Sequence, residues 1–174
     1  MVRAIMLLSL ISLPSFAGDN SLTITTKGTG TTITAKQVGN GNSSHILCGA
    51  NSSGSMPGTT YASHTCGSAT LNTTVIGHSN TTRLYTVWSN NIDNNYTISI
   101  TGDDNFAWLD QDEDDNTSTI TQTGDDNHAE QLGSGDDNAY SITQTGNNKY
   151  AKIFSFSDYS SFTINQYGSG EHNK

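Results

Sequence analysis

The chain has 174 residues, of which 32% are hydrophobic and 13% are charged, and its formal net charge is −9 at pH 7. Both fractions lie well below those of ordinary globular domains, which excludes a thick apolar core. Such a chain either stays disordered or adopts a fold in which polar side chains satisfy one another in ladders. The acidic balance argues against nucleic acid as a partner, because a polyanion would be repelled.

Residues 1–17 form a predicted signal peptide. Arg3 supplies a positive charge, residues 4–13 supply an apolar run, and Ser15-Phe16-Ala17 is a small-x-small cleavage site. The run is too short to span a bilayer, and no later segment approaches the roughly 20 apolar residues that a membrane helix needs. We therefore expect an exported mature chain without membrane insertion, forming a single domain over residues 18–174.

A repeat with a 22-residue period organises the mature chain. The predicted unit starts are Asn20, Asn42, Asn72, Asn94, Asn116, Asn138 and Ser160. The fifth position of every unit is isoleucine, which predicts a core ladder of Ile24, Ile46, Ile76, Ile98, Ile120, Ile142 and Ile164. The ninth position suits a turn with positive φ and is most often glycine, at Gly28, Gly102, Gly124, Gly146 and Gly168.

Within each unit, apolar and polar residues alternate with period two, as in Tyr140-Ser141-Ile142-Thr143-Gln144. Each unit therefore indicates a strand, a turn, a second strand and a turn. A single unit cannot bury its inner face until the next one stacks on it. We predict an all-β solenoid of about seven 22-residue rungs with amyloid-like cross-β stacking. The predicted inner glutamines are Gln37, Gln111, Gln122, Gln144 and Gln166.

The segment Gln122-Thr123-Gly124 followed by Asn127-His128-Ala129 resembles the curlin repeat, and neighbouring units share parts of the same pattern. The resemblance implies a structural subunit of an extracellular curli-like amyloid fibre on the cell surface, used in biofilm matrix and adhesion. It further implies that the partners are other copies of the chain, other curlin subunits, an outer-membrane secretion pore, and host or abiotic surfaces.

The two cysteines, Cys48 and Cys66, flank an insertion at about residues 50–63. In an oxidising compartment this pair predicts a disulfide. The alternative is a metal site, since His45 and His64 together with the cysteines are ligand types that zinc prefers. The spacing matches no familiar zinc module, so we predict no metal site.

Acidic pairs such as Asp103-Asp104 and Asp125-Asp126 recur at the predicted turns. We interpret them as solvated corners, with a calcium-stabilised surface solenoid as an alternative. A second alternative is a monomeric ice-binding solenoid, suggested by outward pairs of small polar residues. These pairs are Thr23 and Thr25, Thr97 and Ser99, Thr119 and Thr121, Ser141 and Thr143, and Thr163 and Asn165.

An enzyme is the third function class that we considered. The sequence contains no Gly-x-Ser-x-Gly elbow, His-Glu-x-x-His pair or phosphate-binding glycine loop, and its histidines are scattered. We therefore predict no enzymatic activity, no catalytic residues and no cofactor.

Overall fold

The computed structural model describes residues 18–26, 28–49, 66–86 and 93–168. The predicted signal peptide and the predicted insertion at about residues 50–63 lie outside the described residues. The described part contains twelve strands. They are β1 Ser21–Thr26, β2 Thr32–Val38, β3 Ser43–Cys48, β4 Thr70–Ile76, β5 Thr81–Thr86, β6 Asn95–Thr101, β7 Phe106–Asp112, β8 Thr117–Thr123, β9 His128–Ser134, β10 Ala139–Thr145, β11 Tyr150–Phe156 and β12 Ser161–Tyr167.

The strands form two parallel six-stranded sheets. Sheet 1 contains the odd-numbered strands in the order β1-β3-β5-β7-β9-β11, and sheet 2 contains the even-numbered strands from β2 to β12. Because successive strands alternate between the sheets, each pair such as β7 and β8 makes one rung. The expected all-β solenoid is confirmed. It has six rungs rather than seven, since the units that start at Asn42 and Ser160 contribute one strand each, β3 and β12.

The core lies between the sheets and follows from the period-two pattern. Alternate side chains of each strand point inward, so a strand such as β8 buries Ser118, Ile120 and Gln122 and leaves Thr119 and Thr121 on the outside. Threonine and isoleucine are β-branched residues that suit such a half-buried pleated surface. Apolar and amide side chains therefore share the interior, as the low hydrophobic content requires.

The predicted isoleucine ladder is divided between the two sheets. Ile98, Ile120, Ile142 and Ile164 stack in sheet 2. Ile24 and Ile46 stack in sheet 1, beneath Leu84. Ile76 belongs to neither ladder, because it lies on the outer face beside Thr101 and is 38% exposed. The inner position beside Ile98, which the repeat predicts for Ile76, is occupied by Thr73.

The predicted unit start at Asn72 is therefore also corrected. Thr70 pairs with Asn95, so the strand begins three residues earlier than the repeat suggested. The physical reason is that the two strands of a rung look alike in sequence, each being an alternating strand preceded by a corner position that favours asparagine. Around the insertion the paired residues are not a whole number of repeats apart, since Ser43 pairs with Thr81 and Thr70 pairs with Asn95. The isoleucine pattern passes there from sheet 1 to sheet 2.

Candidate functional site

The glutamines in the seventh position of the later repeats form a ladder along the axis. The Nε2 of Gln122 donates to the Oε1 of Gln144 at 2.9 Å, and the Nε2 of Gln144 donates to the Oε1 of Gln166 at 3.0 Å. Each Nε2 also donates to a backbone carbonyl sixteen residues earlier in the chain. This arrangement links rungs through side chains as well as backbones, which is the bonding of a cross-β stack.

The structure places the other two predicted inner glutamines apart from this ladder. Gln37 lies in β2, at the end of the same row, and its Nε2 donates to the carbonyl of Ser21 at 3.0 Å. Gln111 lies in sheet 1, fully buried over the backbone of Gly133. A Cβ at Gly133 would come within 2.8 Å of the Gln111 Oε1, so the glycine makes room for the amide.

Two asparagine ladders line the corners, and sequence reasoning identified some of their members only as unit starts or, at Asn127, as part of the curlin pattern. In the first, the backbone N–H of each corner residue donates to the Oδ1 of the asparagine one rung before it. The members are Asn20, Asn42, Asn80, Asn105 and Asn127, and Lys149 ends the ladder. The second ladder runs through Asn94, Asn116 and Asn138 to Ser160. The amides satisfy corner backbone groups that would otherwise be buried without partners.

The predicted turn glycines Gly28, Gly102, Gly124, Gly146 and Gly168 all have positive φ. At Gly102 the rungs also approach so closely that a Cβ would overlap the carbonyl oxygen of Gly124. Glycine is needed there both for the backbone conformation and for the space.

The acidic corners have a structural role. The Oδ1 of Asp125 accepts the N–H of Asp103 at 2.9 Å, and the Oδ1 of Asp136 accepts the N–H of Asp114 at 3.0 Å. In the described ranges, no group of three or more histidine, cysteine, aspartate or glutamate side chains could hold a metal ion. The acidic corners therefore give the calcium alternative no geometric support.

The predicted disulfide between Cys48 and Cys66 is present, with 5.4 Å between the two Cα atoms. Both residues are fully buried, and Cys48 is the last residue of β3. The bond uses both thiols, which removes them as zinc ligands. The Nδ1 of His45 instead lies 3.1 Å from the hydroxyl oxygen of Tyr85. His64 lies outside the described residues.

Reducing this disulfide should lower the free energy of unfolding by about 3 kcal/mol, because the bond limits the unfolded ensemble. Urea unfolding of the mature chain with and without a thiol reductant measures the difference. The double variant Cys48→Ala/Cys66→Ala is the control, since reductant should leave its stability unchanged. If both thiols of the unreduced native protein can be alkylated, the disulfide assignment is wrong.

The outer faces of the two sheets differ in chemistry. The outer face of sheet 2, here called the threonine face, carries an uninterrupted block of hydroxyl residues on β6, β8 and β10. These are Thr97, Ser99, Thr101, Thr119, Thr121, Thr123, Ser141, Thr143 and Thr145. The outer face of sheet 1, here called the aromatic face, carries rings and charges. Phe106, His128 and Tyr150 stack there with ring centroids 4.6 and 5.1 Å apart.

One carboxyl of the aromatic face is held in an unfavourable environment. Burial and the neighbouring Asp112 carboxylate raise the pKa of Asp110 well above its ordinary value. The folded state therefore binds this proton more tightly than the unfolded chain does. The contribution of Asp110 to stability is complete below the unfolded pKa of about 4 and is lost as the pH rises through the raised folded value.

The variant Asp110→Asn should accordingly unfold at a higher temperature than the parent at pH 7 and at the same temperature at pH 3. Asparagine matches the neutral carboxyl in shape and carries no buried charge. Thermal unfolding at the two pH values measures this, with Asp126→Asn at an exposed corner as the control for net charge. A gain of the same size at pH 3 and pH 7 would show that the charge is not the cause.

Both ends of the solenoid are open among the described residues. β1 and β2 form one end and β11 and β12 the other, each strand having a sheet neighbour on one side only. Six of the seven exposed large hydrophobic side chains of the described ranges lie in the last rung. They are Tyr150, Phe154, Phe156, Tyr159, Phe162 and Tyr167. Charge or proline usually protects such edges, and here the last rung presents apolar surface instead.

Comparisons with known proteins agree with the repeat pattern. Residues 102–130 match the family model of the curlin associated repeat. This segment runs from the turn after β6 into β9. The searches found no matching curated protein and no matching solved structure. No helix in the described ranges is long and apolar enough to cross a membrane. The resemblance to the curlin associated repeat is therefore confirmed for residues 102–130, which form part of a β-solenoid.

Proposed function

We propose that this protein is the structural subunit of an extracellular curli-like amyloid fibre, in which copies stack head to tail along the solenoid axis. The observation that carries the proposal is that the two open ends match in strand direction and in row composition. Because every strand pairing is parallel, a second copy moved along the axis presents β1 to β11 and β2 to β12.

The matching is close on the inner side of sheet 2. In the register of the existing rungs, Gln166 would lie over Gln37 of the next copy. Both side chains already adopt the same arrangement, since the Nε2 of each donates to the carbonyl sixteen residues earlier, at 2.9 and 3.0 Å. Docking would then extend the glutamine ladder from one molecule to the next by the bond that joins Gln122 to Gln144.

Apolar rows support the same register. Phe162 would meet Ile33 of the next copy, and Ile164 would meet Ala35, a large residue over a small one. Phe162 is now 46% exposed because no rung covers it. Burying each of these side chains would contribute on the order of 1–2 kcal/mol to docking.

The curlin resemblance extends the proposal to the cell surface. It favours a fibre used in biofilm matrix and adhesion, with other curlin subunits, an outer-membrane secretion pore, and host or abiotic surfaces as partners. It also favours a structural role without enzymatic activity.

The test is to incubate the purified mature chain and to follow dye fluorescence, electron microscopy and fibre diffraction. We expect unbranched filaments with a reflection at about 4.8 Å along the fibre axis. A chain that stays monomeric at high concentration would refute the fibre proposal while leaving the fold intact.

A second function, ice binding by the threonine face, is favoured by one observation. His45 and Leu47, which the 22-residue repeat aligns with the outward polar pairs, both lie in sheet 1. Thr74 continues the Ser99 row of sheet 2, whereas Asn72 and Ile76 end the two rows beside it. Thr23 and Thr25 lie on the aromatic face. An ice-shaping assay tests this function, and Thr121→Lys should abolish the shaping if it exists.

A further inference from the structure

A groove crosses the aromatic face near the ends of β7, β9 and β11, and it has the size of a ligand site. Its volume is about 490 Å³, within the range of small-molecule pockets. The lining residues are Asp110, Asp112, Glu113, Leu132, Gly133, Ser134, Phe154 and Phe156. The groove opens on the side of the solenoid, and its aromatic residues belong to β11, one of the two strands at the open end.

The strand register places acidic side chains on one wall of the groove and aromatic side chains on the other. One row runs from Asp110 through Leu132 to Phe154, and the next runs through Ser134 to Phe156. Carboxylates therefore lie on β7 and phenyl rings on β11, with β9 as the floor between them. Two strand steps separate the walls by about 10 Å, which leaves room for a flat group of one ring.

The acidic wall contains a group that lacks a partner. The Oδ1 of Asp110 is enclosed and has no hydrogen-bond partner in the part of the chain that the structure describes. Lys152, the cation beside Phe154, has its Nζ 2.7 Å from Glu130 and 6.0 Å from the Phe154 ring. Its charge is thus directed to Glu130 rather than to Asp110.

The aromatic wall is exposed although its rings are ordered against each other. Phe154 and Phe156 meet edge to face with centroids 4.7 Å apart, and they are 63% and 70% exposed. The faces of such rings attract cations, and their apolar surface favours a ligand with a hydrocarbon body.

We infer that this groove binds a small organic cation that carries N–H donors and an apolar body, such as an amidinium, a guanidinium or a protonated arylamine. The cation donates to the Asp110 carboxylate, and its body lies against Phe154 and Phe156. A neutral ligand would leave the Asp110 carboxylate desolvated without compensation, and an anion would be repelled. An N–H donor would form a charge-assisted hydrogen bond with this carboxylate, whose Oδ1 has no partner among the described residues.

The probe is benzamidinium, and benzamide is its neutral counterpart of nearly the same shape. Calorimetric titration of the mature chain at pH 7 should show saturable one-site binding of benzamidinium. Benzamide should bind at least about tenfold more weakly, because a charge-assisted hydrogen bond to a carboxylate is lost. Asp110→Asn should reduce the affinity for benzamidinium by a similar factor, and Phe154→Ala by about threefold.

Asp126→Asn removes the same charge from an exposed corner outside the groove, and it should change the affinity by less than about twofold. Three outcomes would each overturn the inference: no saturable binding, equal binding of the two probes, or an equal loss in Asp126→Asn and Asp110→Asn. Phe154 is on the surface, so its variant tests the groove even if Asp110→Asn folds poorly. An undiminished affinity in Phe154→Ala would place the ligand elsewhere.

Discussion

Ile120→Lys is expected to destabilise the solenoid by at least about 4 kcal/mol and to prevent fibre formation. Ile120 is fully buried in sheet 2, stacked between Ile98 and Ile142. Lysine at this position loses the apolar contacts on both sides and places an ammonium group where the described neighbours offer no counter-charge. Urea unfolding followed by circular dichroism measures the stability, and dye fluorescence measures the fibre growth.

The chain provides two matched controls for this variant. Ile76→Lys is the same substitution at an isoleucine that the repeat assigned to the ladder but that lies 38% exposed on the outer face. Thr121→Lys is the neighbouring residue on the threonine face. Both should change the stability by less than about 1 kcal/mol and should still form fibres. If Ile76→Lys were as damaging as Ile120→Lys, the corrected register would be wrong.

Thr163→Pro is expected to slow fibre growth by at least about tenfold while changing the stability of the monomer by only about 1 kcal/mol. The N–H of Ala139 donates to the carbonyl of Ser160 in the following rung at 2.8 Å. In a parallel ladder this direction repeats at every second residue. Ser161, Thr163 and Asn165, which occupy the same rows in β12, therefore direct their N–H groups to the open edge.

Proline at position 163 removes one of these edge donors and adds a ring where the next copy would pair, but it breaks no ladder bond inside the monomer. Thr163→Val keeps the N–H and the β-branched shape, so it should grow fibres at nearly the parental rate. A small fraction of Thr163→Pro added to the parent protein should also stop growing ends, because the variant can dock through β1 and β2 but cannot accept a successor. Normal growth of the pure proline variant would exclude β12 as a docking edge.

The sequence alone predicts the architecture because the architecture is repetitive. A period of 22 residues with strict alternation inside each unit allows little other than a stack of strand-turn-strand rungs. The disulfide also follows from composition, since a chain with two cysteines has one possible internal pairing. The positive φ expected at the ninth position is present at Gly102 and Gly124.

The allocation of residues to the two sheets did not follow from the sequence in the same way. Strands of both sheets alternate apolar and polar residues, and strands of both sheets follow a corner residue that is most often asparagine. Asn42 and Asn94 therefore look equivalent in the sequence, although they belong to different asparagine ladders. Three-dimensional pairing distinguishes them, because a strand must bond to the strand one full turn away. The misplacement of Ile76 arises from this ambiguity.

The candidate groove could not be predicted for a related reason. Asp110, Leu132 and Phe154 are spaced by one repeat, but nothing in a 22-residue period indicates that they share an outer row or that Phe156 stands beside them. The unpartnered oxygen of Asp110 depends on which side chains surround it, and Lys152 is directed to Glu130 through a contact between neighbouring strands.

The sequence by itself determined that this protein stacks like residues over like at a fixed period, because local alternation and repeat length together leave one way to bury its few apolar side chains. Only the tertiary structure decided which strand of each rung a residue belongs to, which rows face water, and which edges remain open. The physical reason is that hydrogen-bonded register is set between strands that lie one full turn apart in the chain. Because the two strands of a rung have similar sequence patterns, the local sequence does not specify that register.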